Sequence, residues 1–151
     1  MDRHEAQVSR RDWHEFTLQM FYYGDPEAMR QGIDPSTLRE LTGAEREAAI
    51  DTLIEGLAYD DSLAALGLRL TRATRAIPDL QEHLPRASDA GRVETALALR
   101  VLSDDQQYAP EIIKVLADRD NPWSLDAAIA LRHFDTPEAV EALYAALTDD
   151  R

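Results

Sequence analysis

The sequence predicts an all-α protein: a solenoid of stacked helical hairpins with a helical cap at its N-terminal end. Three observations point there. The run Ala65-Leu66-Gly67-Leu68-Arg69 returns as Ala96-Leu97-Ala98-Leu99-Arg100 and again as Ala128-Ile129-Ala130-Leu131-Arg132, at spacings of 31 and 32 residues. A second pattern follows each time: Pro78-Asp79 with Leu84, Pro110-Glu111 with Leu116, and Pro137-Glu138 with Leu143. Two patterns recurring in one order at such a period signal a solenoid. Strand signals are missing, because no run alternates Val, Ile or Thr and the apolar residues follow the helical spacing of three to four.

One domain accounts for residues 1–151, with a cap over 1–41 and repeats over 42–151. Glu5 to Tyr23 reads as a helix ended by Gly24-Asp25-Pro26. Trp13, Phe16, Met20 and Tyr23 share one side, and Phe21 and Tyr22 widen it. Terminal elements of a repeat stack must cover its open end, so this aromatic face reads as a cap. Its other reading is a groove for a partner or an apolar ligand. Pro26 to Leu41 suits two short helices broken at Gly32 and Asp34-Pro35.

Thr42-Gly43-Ala44-Glu45 has capping-box spacing and opens a helix expected to run to about Ala58. Its Ile50, Leu53 and Leu57 match Val140, Leu143 and Leu147, as in the second helix of a degenerate first repeat. Three complete hairpins follow, near 62–87, 91–118 and 123–148. The small residues Ala65, Ala96 and Ala128 allow close helix approach, and the leucines fill the space between. Each second helix is expected to begin at its proline, whose missing N–H would be unpaired there anyway. The acid that follows favours the positive end of the helix dipole. Asn121-Pro122 and Thr136-Pro137 place a capping side chain just before such a proline.

These units resemble the HEAT-like repeats known from phycobilisome lyases and many bacterial scaffold proteins, in which an A-x-A-L-R helix precedes a P-E-A-V-x-A-L helix. Thr136-Pro137-Glu138-Ala139-Val140-Glu141-Ala142-Leu143 matches closely, and the likeness extends over Thr42 to Arg151. It implies a HEAT-like fold and leaves activity open, since one fold serves many functions. Arg69, Arg100 and Arg132 suit a ladder paired with acids of the next repeat, or else an exposed anion-binding row.

Composition narrows the function. Without cysteine there is no disulfide, thiolate zinc site or thiol nucleophile. A formal net charge of −13 opposes nucleic-acid binding, which needs a basic surface. No stretch is long and apolar enough for a membrane span, and residues 1–11 carry no apolar signal core, so a cytoplasmic protein is expected. His4-Glu5 and His14-Glu15 resemble the His-Glu pairs of HEAT-repeat iron hydroxylases acting on deoxyhypusine. Those pairs are spread through the repeats, however, and neither His83 nor His133 precedes a glutamate. No H-E-x-x-H, G-x-S-x-G or P-loop occurs. Asp60-Asp61, Asp104-Asp105, Asp118 with Asp120, and Asp149-Asp150 lie at predicted helix ends, where aspartate caps. The sequence thus indicates no catalytic residue, cofactor or metal.

A partner surface is easier to place. Solenoids often bind on the face lined by the second helices, and these carry Asp79, Glu111 and Glu138 in one row and Glu82, Lys114 and Glu141 a turn later. Asp89 to Arg151 holds thirteen acids and six bases. The expected binding residues are therefore Asp79, Glu82, Glu111, Glu138 and Glu141, and the expected partner is a basic protein. A scaffold, an adaptor or an immunity protein neutralising a basic toxin fits. The alternative is a lyase-like accessory enzyme or small-ligand-binding protein using the N-terminal aromatic face. No oligomeric state follows from the sequence.

Overall fold

A computed structural model describes residues 9–22 and 35–148, and all of its regular secondary structure is helical. The predicted start of the first helix at Glu5, its Gly24-Asp25-Pro26 stop, Tyr23 and the break at Gly32 lie outside those residues. Helix α1 spans Arg10–Tyr22. Ser9 Oγ accepts from Asp12 N at 3.1 Å, satisfying one free donor of its first turn. Trp13, Thr17 and Phe21, four residues apart, form its buried side. A short α2, Ser36–Glu40, buries Leu38.

Helix α3, Gly43–Gly56, starts where Thr42 predicts it. The expected capping bond is missing, however, and Thr42 makes no side-chain cap contact. Gly43 sits at φ 58°, so the first turn is irregular and the hydroxyl does not line up with the N–H groups it would cap. The helix stops two residues earlier than expected, giving way to a tight turn in which Tyr59 N and Asp60 N both donate to Gly56 O at 2.9 Å.

Three hairpins follow. The first joins α4, Asp61–Leu70, to α5, Ile77–His83, through a 3₁₀ turn at Thr74–Ala76. The second joins α6, Asp89–Ser103, to α7, Ala109–Ala117. The third joins α8, Ser124–Leu131, to α9, Pro137–Leu147. Four of the aspartates expected at helix ends cap or turn there, while Asp149-Asp150 lies outside the described residues. Asp60 accepts from Leu63 N, Asp104 takes the left-handed C-cap of α6, and Asp118 and Asp105 close turns in the loops. Thr136 caps α9 by accepting from Ala139 N, with Pro137 in the first position. Pro78 and Pro110 stand second in their helices rather than first. Asn121-Pro122 does not open α8 at all. Asn121 is buried, accepts from Trp123 N and donates to Asp89 Oδ2 at 3.0 Å, so its side chain builds the loop and the helix begins two residues later.

The first helices α4, α6 and α8 stack on one another, and α7 packs on both α8 and α9. Ala64, Ala65, Ala96, Ala98, Ala127 and Ala130 are buried, and Leu68, Leu99 and Leu131 fill the core between them, whereas Ala128, expected at the close approach, is only half-buried because Ala127 and Ala130 take the inner side of α8. Gly67 is required by close approach, because a Cβ there would lie 2.4 Å from Leu53. Gly56 meets the same limit against the Trp13 ring, which brings α1 down onto α3. The aromatic helix therefore covers the N-terminal end of the stack, with Trp13 and Phe21 inside the core.

Candidate partner-binding surface

The repeat arginines act across hairpins in two ways. Arg69 on α4 stands 3.6 Å from Glu94 on α6, a charge contact longer than a hydrogen bond. Burial pushes the Glu94 carboxyl up, the positive charge of Arg69 opposes this, and Asp126 adds to the rise. Arg100 finds no acid in the next hairpin. Its Nη1 pairs with Asp104 on its own helix at 2.6 Å, its Nε donates to His133 O at 3.0 Å, and its guanidinium lies 6.0 Å from the Phe134 ring centre. Arg132 is exposed. Among the described residues, a contact from a repeat arginine to an acid of the next repeat is seen at Arg69.

Between the first two hairpins, Asp61 is the organising group. Its carboxylate accepts from Ser88 Oγ at 2.6 Å and Ser88 N at 2.9 Å, and its Oδ2 lies 3.0 Å from His83 Nε2. Burial raises the Asp61 carboxyl, but the hydrogen bonds from Ser88 and His83 outweigh it and hold the group below its ordinary value. Ser88 in turn caps α6 by accepting from Gly91 N. The aspartate stands between the serine and the histidine, so this is no nucleophile–base pair and reads as a clasp. Among the described residues no group of His, Asp or Glu could hold a metal. No described helix is long and apolar enough to cross a membrane.

The clasp forms one wall of a cavity of about 690 Å³ bounded by α3, α4 and α5, and Glu55, Asp79 and Glu82 also line it. Of the five expected binding residues, Asp79 and Glu82 meet here. Glu111 is occupied elsewhere, 3.8 Å from Arg92 and 3.3 Å from Lys114. Glu138 lines a smaller depression with Gln106, Gln107 and Pro110, and Glu141 is exposed on α9. The structure brings together the first pair and distributes the other three along the stack. Beside α1 a wider depression of about 790 Å³ is lined by Trp13, His14, Tyr22 and Tyr59, with the Arg10 guanidinium 5.2 Å from the Tyr59 ring centre.

Sequence reading overlooked an apolar face on the third hairpin. Leu125 and Ile129 on α8 are 70% and 53% exposed, while Val140, Tyr144 and Leu147 on α9 are 59%, 70% and 84% exposed. The matching positions of α6, Val93 and Leu97, are buried. Repeat alignment marks the same residue types at these places, and only position in the stack separates the covered from the uncovered.

A family model described as PBS lyase HEAT-like repeat matches residues 125–149. No curated protein and no solved structure matches the chain. The match covers the third hairpin, and the helical hairpins of the described residues are consistent with a HEAT-like solenoid.

Proposed function

We propose that this protein is an interaction module that holds a basic protein, as a scaffold, an adaptor or an immunity protein against a basic toxin. The observation that carries this reading is the cavity beside α5. Glu55, Asp61, Asp79 and Glu82 line it, its one arginine, Arg86, is already paired with Glu82, and His83 is held by Asp61. A site with surplus negative charge on a chain of net charge −13 attracts lysine and arginine side chains and steers their approach. The buried Trp13 and Phe21 support a capping role for the aromatic helix over a ligand groove.

The test is affinity capture with the unmodified protein beside a variant carrying Asp79→Asn, Glu82→Gln, Glu111→Gln, Glu138→Gln and Glu141→Gln. Proteins retained only by the unmodified form should be basic, and salt should slow their association more than it speeds their release. Retention of the same neutral or acidic proteins by both forms refutes the reading.

A further inference from the structure

Part of the uncovered face of the third hairpin repeats the surface on which the second hairpin receives the third. On α7, Ile113, Leu116 and Ala117 share a groove of about 430 Å³ with Ala142, Ala145 and Ala146 of α9. Their counterparts one repeat later are Val140, Leu143 and Tyr144. On α6, Val93 lines a small cavity with Trp123 and Asp126 of the next hairpin, and its counterpart is Leu125. The exposed side chains therefore continue the kind of interface already formed between the second and third hairpins, one whose natural occupant is a helix.

Exposure and charge narrow that occupant. Leu125, Ile129, Val140, Tyr144 and Leu147 are five large apolar side chains on two neighbouring helices, each more than half exposed, and a concentration of this kind marks an interaction surface. The edge of this face is acidic. Asp126 and Glu141 each follow an apolar face residue by one position, about 100° around the helix, and both are exposed. Glu138 is exposed near the start of α9, and between 124 and 148 the chain has one arginine, Arg132, and no lysine. Two copies meeting through this face would set acids against acids.

We propose that the α8–α9 face docks an amphipathic helix of a partner protein, apolar along one stripe and flanked by lysine or arginine, seated where a further hairpin would stack. This rests on the basic-partner reading and moves the principal contact from the cavity beside α5 to the third hairpin. Helix-in-groove recognition of this kind uses apolar anchors for affinity and flanking charge for selection.

The probe is a synthetic helical peptide of about 20 residues with a leucine stripe and lysines elsewhere, set against a scrambled peptide of identical composition. By titration calorimetry the stripe peptide should bind the full chain at least about tenfold more tightly than the scrambled one. The triple variant Ile129→Ser, Tyr144→Ser and Leu147→Ser should lose at least about tenfold, whereas Asp79→Asn with Glu82→Gln should change little. As a second measurement, amide chemical-shift changes on the unmodified protein should fall on α8 and α9. A footprint elsewhere overturns the proposal. Equal affinity for the two peptides also overturns it while leaving the basic-partner reading standing, and absence of binding by either peptide counts against both. Should sedimentation show a dimer that the triple variant abolishes, the face belongs to a second copy and the proposal fails.

Discussion

Gly91→Ala is the substitution for which the structure reverses the ordinary expectation. In a helix, alanine is favoured over glycine by roughly 0.8–1 kcal/mol, and less within the first turn. Gly91 is the third residue of α6, and a Cβ there would stand 2.0 Å from Cγ of Asp61. Asp61 is short, and three hydrogen bonds from Ser88 and His83 fix it, so it cannot yield without giving them up. Hydrogen bonds to a charged group contribute about 1.5–3 kcal/mol each, and water restores part of that once the carboxylate swings out. The net expectation is a loss of about 1–3 kcal/mol, or roughly 3–10 °C in Tm for a domain of this size. Thermal and urea unfolding followed by far-UV circular dichroism measures it. In an Asp61→Ala background the obstruction is gone, and Gly91→Ala should become neutral or slightly stabilising. Acidity supplies a third arm. Asp61 is held below the ordinary aspartate value of 3.8, so its stabilisation is complete above that value and is lost as pH falls through the folded value. The gap between wild type and Gly91→Ala should therefore narrow below about pH 4. A Gly91→Ala protein as stable as wild type at pH 7 refutes the clasp.

Three other outcomes are expected. Leu99→Ala, fully buried in α6, should cost about 2–5 kcal/mol, whereas Leu147→Ala on the uncovered face should stay within about 0.5 kcal/mol; equal costs in urea unfolding would mean the burial pattern is wrong. Trp13→Ala should cost about 3–5 kcal/mol, because the ring fills the space over Gly56, and a neutral result would detach α1 from the core. Glu94 has its carboxyl raised above 4.5, so wild type should lose stability as pH rises from about 4.5 through the folded value. Glu94→Gln should flatten that slope, and parallel pH–stability curves for the two proteins would contradict the burial of this carboxylate.

The hairpins were legible because each repeat writes its own local signals. Alanines at helical spacing, a proline with an acid behind it, and a threonine before Pro137 all act within a few residues, so they survive in the sequence read alone. Side chains that act over long separations did not. Asn121 looks like a helix cap until it is seen reaching back to Asp89, and Asp61 looks like half of an aspartate cap until Ser88, 27 residues later, closes on it. Arg69 and Arg100 occupy the same repeat position, yet one meets Glu94 and the other a backbone carbonyl and a phenyl ring. The acidic row proved partly engaged for the same reason, since nothing in the sequence near Glu111 shows that Arg92 folds against it. Least legible was the exposed face. Leu125 and Val93 are equivalent in the repeat, and their opposite burial depends on whether another hairpin stands beside them.

That asymmetry sets the order in which the molecule opens. In a stack coupled only between neighbours, stability is roughly the sum of each unit and its interfaces. Helix α6 packs on α4 and α8, whereas α8–α9 meets the rest of the described chain through one side. Opening that pair sacrifices a single interface, so its amides should exchange with solvent through small sub-global fluctuations while those around Leu99 wait for complete unfolding. A helix bound on the uncovered face would supply the missing second interface. Occupancy should then be visible in slowed exchange of α8 and α9 alone, as ligand linkage confined to one cooperative unit.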